Sequence, residues 1–429
     1  MMVFDGIEDI VSDWLYFNRS AFSSIFPILI NRDLNGRVRL IVEERLEHDD
    51  AAQALLSGLS SDLRNLLNPH IPVSGPFILY EPDLDAIAAS GLTRVLPGLP
   101  GCRIVDRLAT GTRWGTVEPA SCGTAQRVVF FSIKGGVGRS TALAAAARHL
   151  AEAGRRVLVI DLDLESPGLS SALLPDDRRP TYGITDWMVE DLVDNGDLLL
   201  TDMVARSNLS DQGDIRVVPA HGSEPGDYVL KLGRVWMPKS LANREMESWP
   251  QRLRRLLDTL ETRLNPDIVL IDSRSGIDET ASAVVTDLGA RLVCLFAIHG
   301  TQTWTGYKIL FQHWQRSGVA PQIRERLQIV AGMVPETGRA DYLDALRQEA
   351  WNLFTAGLYD EALPGEEPDF SFDLDDQQAP HAPWAIDWHR GFAALERLHG
   401  GELIVDDDRL RAVFGELLHG LDAQITPED

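Results

Sequence analysis

The sequence predicts an α/β protein, a doubly wound and mostly parallel sheet, preceded by a small α+β domain. Three observations carry this. Beyond residue 126, six near-continuous apolar runs of strand length alternate with helical segments, the pattern of a parallel sheet covered on both faces. The first run passes through a glycine-rich turn straight into an alanine-rich helix. Two later runs end in aspartates, at the carboxyl edge where such sheets collect their ligands.

Residues 1 to about 120 read as the α+β domain. Ile7, Ile10, Val11, Trp14 and Leu15 recur at helical spacing. FPILINRD and RVRLIVEE flank Leu34-Asn35-Gly36, a hairpin signal. A helix opens at Asp49/Asp50 and stops at Asn68-Pro69. PFILY and CRIVDRL are further strands around a short helix that begins near Asp83. Tyr80, Asp106, Arg107, Arg113 and Trp114 form no catalytic pattern and read as core or surface residues. GTRWGTVEPASCGTAQ reads as a linker.

From residue 121 to 429 the strands are RVVFFSI, RVLVIDLD, IRVVPA, DIVLIDS, RLVCLFAI and LQIVAGMV. An acidic stretch near 359–380 reads as an exposed insertion. The last helix, from about Asp408, gathers Leu410, Val413, Phe414, Leu417, Leu418 and Leu421 on one face. Its polar face lacks the bases that membrane binding wants, so packing against the domain is expected. Trp304, Trp314, Trp384 and Trp388, with His299, His381 and His389, fit no ligand spacing and read as packing residues.

Composition narrows the function. With 40 basic and 64 acidic residues the net charge is −24. From Asp341 onward there are five arginines, no lysine and 21 acids. Such a surface repels phosphate backbones, so nucleic-acid binding is not expected. The 44% apolar content excludes disorder of the whole chain. Cys102, Cys122 and Cys294 contain no Cys-x-x-Cys pair, which excludes a disulfide scaffold or a structural zinc site. No apolar run reaches the roughly 18 residues needed to span a bilayer. Acids stand near the N-terminus where a signal peptide carries bases, so a cytoplasmic protein is expected.

The chemistry is concentrated in Lys134-Gly135-Gly136-Val137-Gly138-Arg139-Ser140-Thr141. Glycines let the backbone wrap a phosphate closely, and the following helix adds its N–H groups and positive dipole end. Downstream, Asp161 and Asp163 end the second strand and Asp272 ends the fourth.

This set resembles the ParA/MinD family of P-loop ATPases, in the branch where arginine replaces the lysine of the deviant Walker A loop. The resemblance covers about residues 126–340 and implies ATP and Mg²⁺. Residues 135–141 would cradle the phosphates, with Thr141 near the α-phosphate. Ser140, Asp161 and Asp272 would serve Mg²⁺, and Asp163 would orient the attacking water. Lys134 would reach across a nucleotide-bound homodimer, and Ser273-Arg274-Ser275-Gly276 would form the switch loop. Arg139 stands in the place of the P-loop lysine; it keeps the charge but is planar and bulkier, so slow hydrolysis is expected. Met333-Val334-Pro335 supplies no amide where relatives place an adenine-binding asparagine.

The expected function is a nucleotide-dependent dimer switch, regulatory or defence-associated, coupled to a protein partner through the N-terminal domain. A pseudo-ATPase scaffold is the alternative. A kinase is disfavoured by the lack of a tyrosine-rich tail.

Overall fold

The computed structural model describes residues 3–109, 114–120, 125–210, 212–242, 245–361, 368–390 and 407–425. Arg113 and Cys122 lie outside the described residues. The chain divides into two compact units, Met1–Thr110 and Gly111–Asp429.

The first unit runs α1 (Gly6–Phe22), β1 (Ile28–Arg32), β2 (Val38–Glu43), α2 (Asp50–Leu67), β3 (Ile78–Glu81), α3 (Leu84–Ala89), β4 (Leu92–Leu96) and β5 (Leu99–Asp106). The Asp49 carboxylate accepts from the Ala51 and Ala52 N–H groups and so starts α2. The sheet order is β3-β2-β1-β5-β4. Its β1–β2 and β4–β5 pairs are antiparallel, and its β1–β5 and β2–β3 pairs are parallel. One face packs on α1 and α2 through Leu15, Leu40, Leu59 and Ile104. The other packs on α3 through Leu29, Ile41, Leu84 and Val105. The polar residues noted in the sequence are structural: Asp106 takes a two-point bond from Arg32 at 2.5 and 2.7 Å, Arg107 reaches Asn31, and the Tyr80 hydroxyl meets Gln53.

The second unit begins with β6 (Gln126–Ser132), α4 (Arg139–Glu152), β7 (Arg156–Asp161), α5 (Leu169–Leu173), α6 (Ile184–Glu190), β8 (Ala205–Arg206), β9 (Asp214–Val218) and α7 (Tyr228–Val235). There follow β10 (Lys239–Ser240), β11 (Met246–Glu247), α8 (Trp249–Leu264), β12 (Ile268–Ser275), α9 (Glu279–Ser282) and β13 (Leu292–Ala297). It closes with α10 (Thr301–Arg316), α11 (Ala320–Ile323), β14 (Leu327–Val334), α12 (Arg339–Gly357), β15 (Trp384–Asp387) and α13 (Asp407–Ile425).

Eight strands are ordered β15-β14-β13-β6-β12-β7-β9-β8. All neighbours are parallel except β8, which runs antiparallel to β9. The doubly wound, mostly parallel fold is therefore as the sequence predicts. Alternate residues point to opposite faces: Val129 and Phe131 join the layer with α6, α8, α10 and α12, while Val128 and Phe130 join the layer with α4 and α13. The last helix does pack on the domain, its six apolar residues all buried. Gly420 makes room there, because a Cβ would come within 2.3 Å of the Trp384 ring. Among the described residues no helix is long and apolar enough to cross a membrane.

Two loop readings are corrected. Trp114, in the predicted linker, is buried against Phe131 and Trp314, with ring centroids 6.1 and 6.3 Å away. Burying an indole outweighs the turn composition around it, and the described part of the linker is thus packed on the second unit. In the acidic insertion, the rings of Tyr359, Phe370 and Phe372 pack edge-on or tilted against one another, and Asp360 pairs with Arg324 at 2.5 Å. Its aromatic residues fold back onto the core, while Glu361, Asp369, Asp373 and Asp375 stay exposed.

Candidate functional site

The site forms where β6, β7 and β12 end side by side. Lys134 to Gly138 turn between β6 and α4, with Gly136 at φ +74° and Gly138 at φ +87°, conformations that L side chains resist. A Cβ on either glycine would meet nothing within 4 Å, so the turn opens on free space. Gly138 is the N-cap of α4 and supplies no side-chain cap. The first N–H groups of the helix, at Arg139, Ser140 and Thr141, therefore face that space without an intrahelical acceptor. Lys134 is exposed and forms no ion pair among the described residues.

The rest of the turn is braced from two sides. The Gly276 N–H donates to the Ser132 carbonyl at 2.9 Å, and Ser275 Oγ lies 3.5 Å from where a Gly135 Cβ would stand. A Cβ on Gly332 of β14 would come 2.4 Å from the Val137 carbonyl oxygen. Sequence reasoning passed over Gly332, although a glycine inside a strand signals a close backbone approach. Beside it, Met333 is half-exposed with φ +53°, a left-handed conformation that is uncommon for methionine.

Behind the turn lies a buried cluster of charge. Arg139, placed by the resemblance among the residues that cradle the phosphates, instead turns inward. Its Nε donates to Asp272 at 2.7 Å, one terminal nitrogen to Ser132 Oγ at 3.1 Å and the other to Asp163 at 3.2 Å. The side chain is 7% exposed. The physical reason is the concentration of carboxylates beneath it. Burial disfavours the guanidinium charge, but Asp272, Asp163 and Asp161 together outweigh that and hold its pKa above the usual arginine value. Ser140 Oγ donates to the second oxygen of Asp272 at 2.6 Å. Asp161 accepts from the Ser170 N–H at 3.1 Å and the Ser170 hydroxyl at 2.5 Å. Ser170 and Ser132 carry no sequence signal for these roles.

As arranged, Asp161 and Asp272 do not fit a divalent metal, because their carboxylate oxygens already accept from protein donors, and the Ser140 hydroxyl donates its proton to Asp272. Among the described residues no group of three or more His, Cys, Asp or Glu is placed to hold one. The arrangement does fit a phosphate chain, which needs N–H groups, open space and positive charge. Arg274, in the expected switch loop, forms ion pairs with Glu165 and, at 3.3 Å, with Asp278. The tryptophans and histidines do not converge. Trp314 is buried in the core, Trp388 is about half exposed, and His381 bonds Tyr359 and the Leu374 carbonyl.

Asp161 is fully buried, and burial, helped by the neighbouring Asp272 charge, pushes its pKa up to about 7. An acid with a raised folded pKa holds more protons folded than unfolded, so stability falls as pH rises from about 4 to about 7. Asp161→Asn is expected to flatten that decline and raise the melting temperature at pH 8, by roughly 2–4 °C per kcal/mol recovered. A variant that melts below wild type at pH 8 would show that the Ser170 bonds outweigh the cost of the charge.

Residues 128–420 match the family profile described as the CobQ/CobB/MinD/ParA nucleotide binding domain. Among solved structures, pNOB8 ParA bound to nonspecific DNA shares 15% identity, covers 70% of this chain and 97% of its own, and superposes with a TM-score of 0.44. The MinC:MinD cell division complex of Aquifex aeolicus gives 16%, 71%, 99% and 0.41. The cobyrinic acid a,c-diamide synthase of Mycobacterium smegmatis, with bound ATP analog and magnesium, gives 21%, 52%, 82% and 0.38. No curated protein matches the sequence.

Proposed function

The chain belongs to the CobQ/CobB/MinD/ParA family of nucleotide-binding domains, and from that membership we propose that it binds ATP on the turn 134–141 and uses the bound nucleotide to hold two copies together. The observation that carries this is the open turn itself. Gly136 and Gly138 leave space on the concave side, the start of α4 offers uncapped N–H groups, and Lys134 stands exposed without an ion pair among the described residues. Anionic phosphates satisfy all three. Asp163 is the acid proposed to orient water, and its bond to Arg139 argues for slow turnover. The capture of Arg139 also favours a second reading, a scaffold that binds nucleotide and does not turn it over. The first unit is proposed to carry a protein partner's docking surface. Its exposed Phe17, at 82%, is the feature that supports this.

Thermal unfolding tests the nucleotide. A ligand at 100 times its Kd stabilises the folded state by about 2.7 kcal/mol, worth roughly 5–10 °C in a domain of this size class. ATP should give wild type a shift of that order and Gly138→Val none, because the branched side chain stands where the phosphate would lie. Reading each protein with and without ATP cancels the strain of valine at a positive φ. No shift in wild type at millimolar ATP would sink the proposal.

A further inference from the structure

We propose that the Arg139 guanidinium takes the place of a divalent cation on Asp272, so that ATP binds this protein with an affinity that does not depend on Mg²⁺. The inference rests on the nucleotide reading above and goes beyond it in saying what balances the charge. Three different partners hold the guanidinium: Asp272 at 2.7 Å, Ser132 at 3.1 Å and Asp163 at 3.2 Å. Only a rigid, planar fork of donors reaches all three at once; a lysine ammonium is a single point of charge. Arg139 is 7% exposed and Asp272 0%, so the cage is closed and already filled.

The carboxylate oxygens a metal would need are also committed. Mg²⁺ demands near-octahedral oxygen ligands at about 2.0–2.1 Å. Asp272 receives Arg139 on one oxygen and the Ser140 hydroxyl on the other, at 2.6 Å. Ser140 thus directs its proton toward the carboxylate, so both Asp272 oxygens carry a protein donor. Asp161 is engaged by Ser170 at 2.5 Å. A metal entering here would meet a fixed positive charge at the same carboxylate. To admit it, the arginine would have to leave three partners at once. The phosphates themselves need no such exchange, because the uncapped helix start and Lys134 lie on the open side of the turn.

Two measurements test this on the full chain. In calorimetric titrations of ATP, wild type is expected to show the same Kd in EDTA and in millimolar MgCl₂, within about twofold. A tightening of about tenfold or more with Mg²⁺ overturns the inference. No binding in either buffer overturns the nucleotide reading, and the inference with it as stated for ATP; the filled cage is then judged by metal alone. For that, the EPR signal of free Mn²⁺ is followed without nucleotide. Wild type should leave the signal unchanged, while Arg139→Ala should take up about one Mn²⁺ per chain and lose it on adding Asp272→Asn. One Mn²⁺ bound by wild type, or none by a folded Arg139→Ala, overturns the claim. Should the alanine variant fail to fold, Arg139→Lys keeps the charge without the fork, and its ATP affinity should become Mg²⁺-dependent. A Kd for that variant equal in both buffers would count against the proposal.

Discussion

Arg139→Ala is expected to lower the folding free energy by about 3–5 kcal/mol at pH 8, the usual cost of stripping a buried ion pair of one partner. What remains would be Asp272 and Asp161, both fully buried, and Asp163 beside them. None of the three can be reached by solvent as well as an exposed acid, and each repels the others. Without the guanidinium the Asp163 pKa, already raised by burial, rises further, which gives the loss a sign in pH. Acids raised in the folded state take up protons on folding, so the variant's deficit should grow as pH rises and shrink toward pH 5. Urea unfolding at pH 5.5 and pH 8 reads this directly. A loss under about 1 kcal/mol at pH 8 would mean that the carboxylates are balanced by something other than Arg139.

Lys134→Ala should do the opposite: leave folding alone and abolish assembly. Lys134 is exposed and makes no ion pair among the described residues, so the unfolding free energy should stay within about 0.5 kcal/mol of wild type. Only four lysines occur in the chain, at 134, 231, 239 and 308. The second and third are tied to Asp186 and Asp191 in ion pairs. Lys134 instead stands beside the open turn, where a slender ammonium can reach phosphates carried by another copy. Two chains of net charge −24 repel, and the proposed bridge would offset that repulsion. Light scattering with a slowly hydrolysed ATP analogue should show wild type doubling in mass and the variant remaining single, while ATP still raises the melting temperature of both. Equal masses for the two proteins under every condition would end the dimer switch.

Local pattern made most of the fold legible. Strands covered on both faces must be apolar throughout, and β6, β7, β9, β12, β13 and β14 all announce themselves in this way. The turn at 134–141 was legible because glycine has a steric reason to be there. What escaped notice depends on distant partners. Strand β4 hides in TRVLPGLPG, where proline and glycine speak for a loop, yet its register is set by pairing with β5. Strand β15 has four residues and follows an acidic stretch; only the edge of β14 makes it a strand. Arg139 is the instructive case. Its position on the first turn of α4 suggests an outward reach, and the resemblance pulls it toward phosphate. The direction it takes is decided by Ser132, Asp163 and Asp272, which its own neighbourhood in sequence does not reveal.

The alanine-rich helix that carries the turn has its outer face closed by α13, through Leu410, Phe414, Leu417 and Leu421, with His149 bonded to Asp422 at 2.8 Å. During synthesis α4 emerges early in its unit, and the helix that covers it emerges much later. More than 250 residues separate the two. Alanines alone offer little surface to bury, so α4 is left loosely held until that closing helix arrives. The nascent chain therefore carries its glycine turn long before the turn has a rigid support. Ribosome-bound or truncated chains lacking residues 407–425 should gather chaperones and proteases at this helix. Arrival of α13, rather than the presence of the motif, is what gives the proposed nucleotide turn a rigid support.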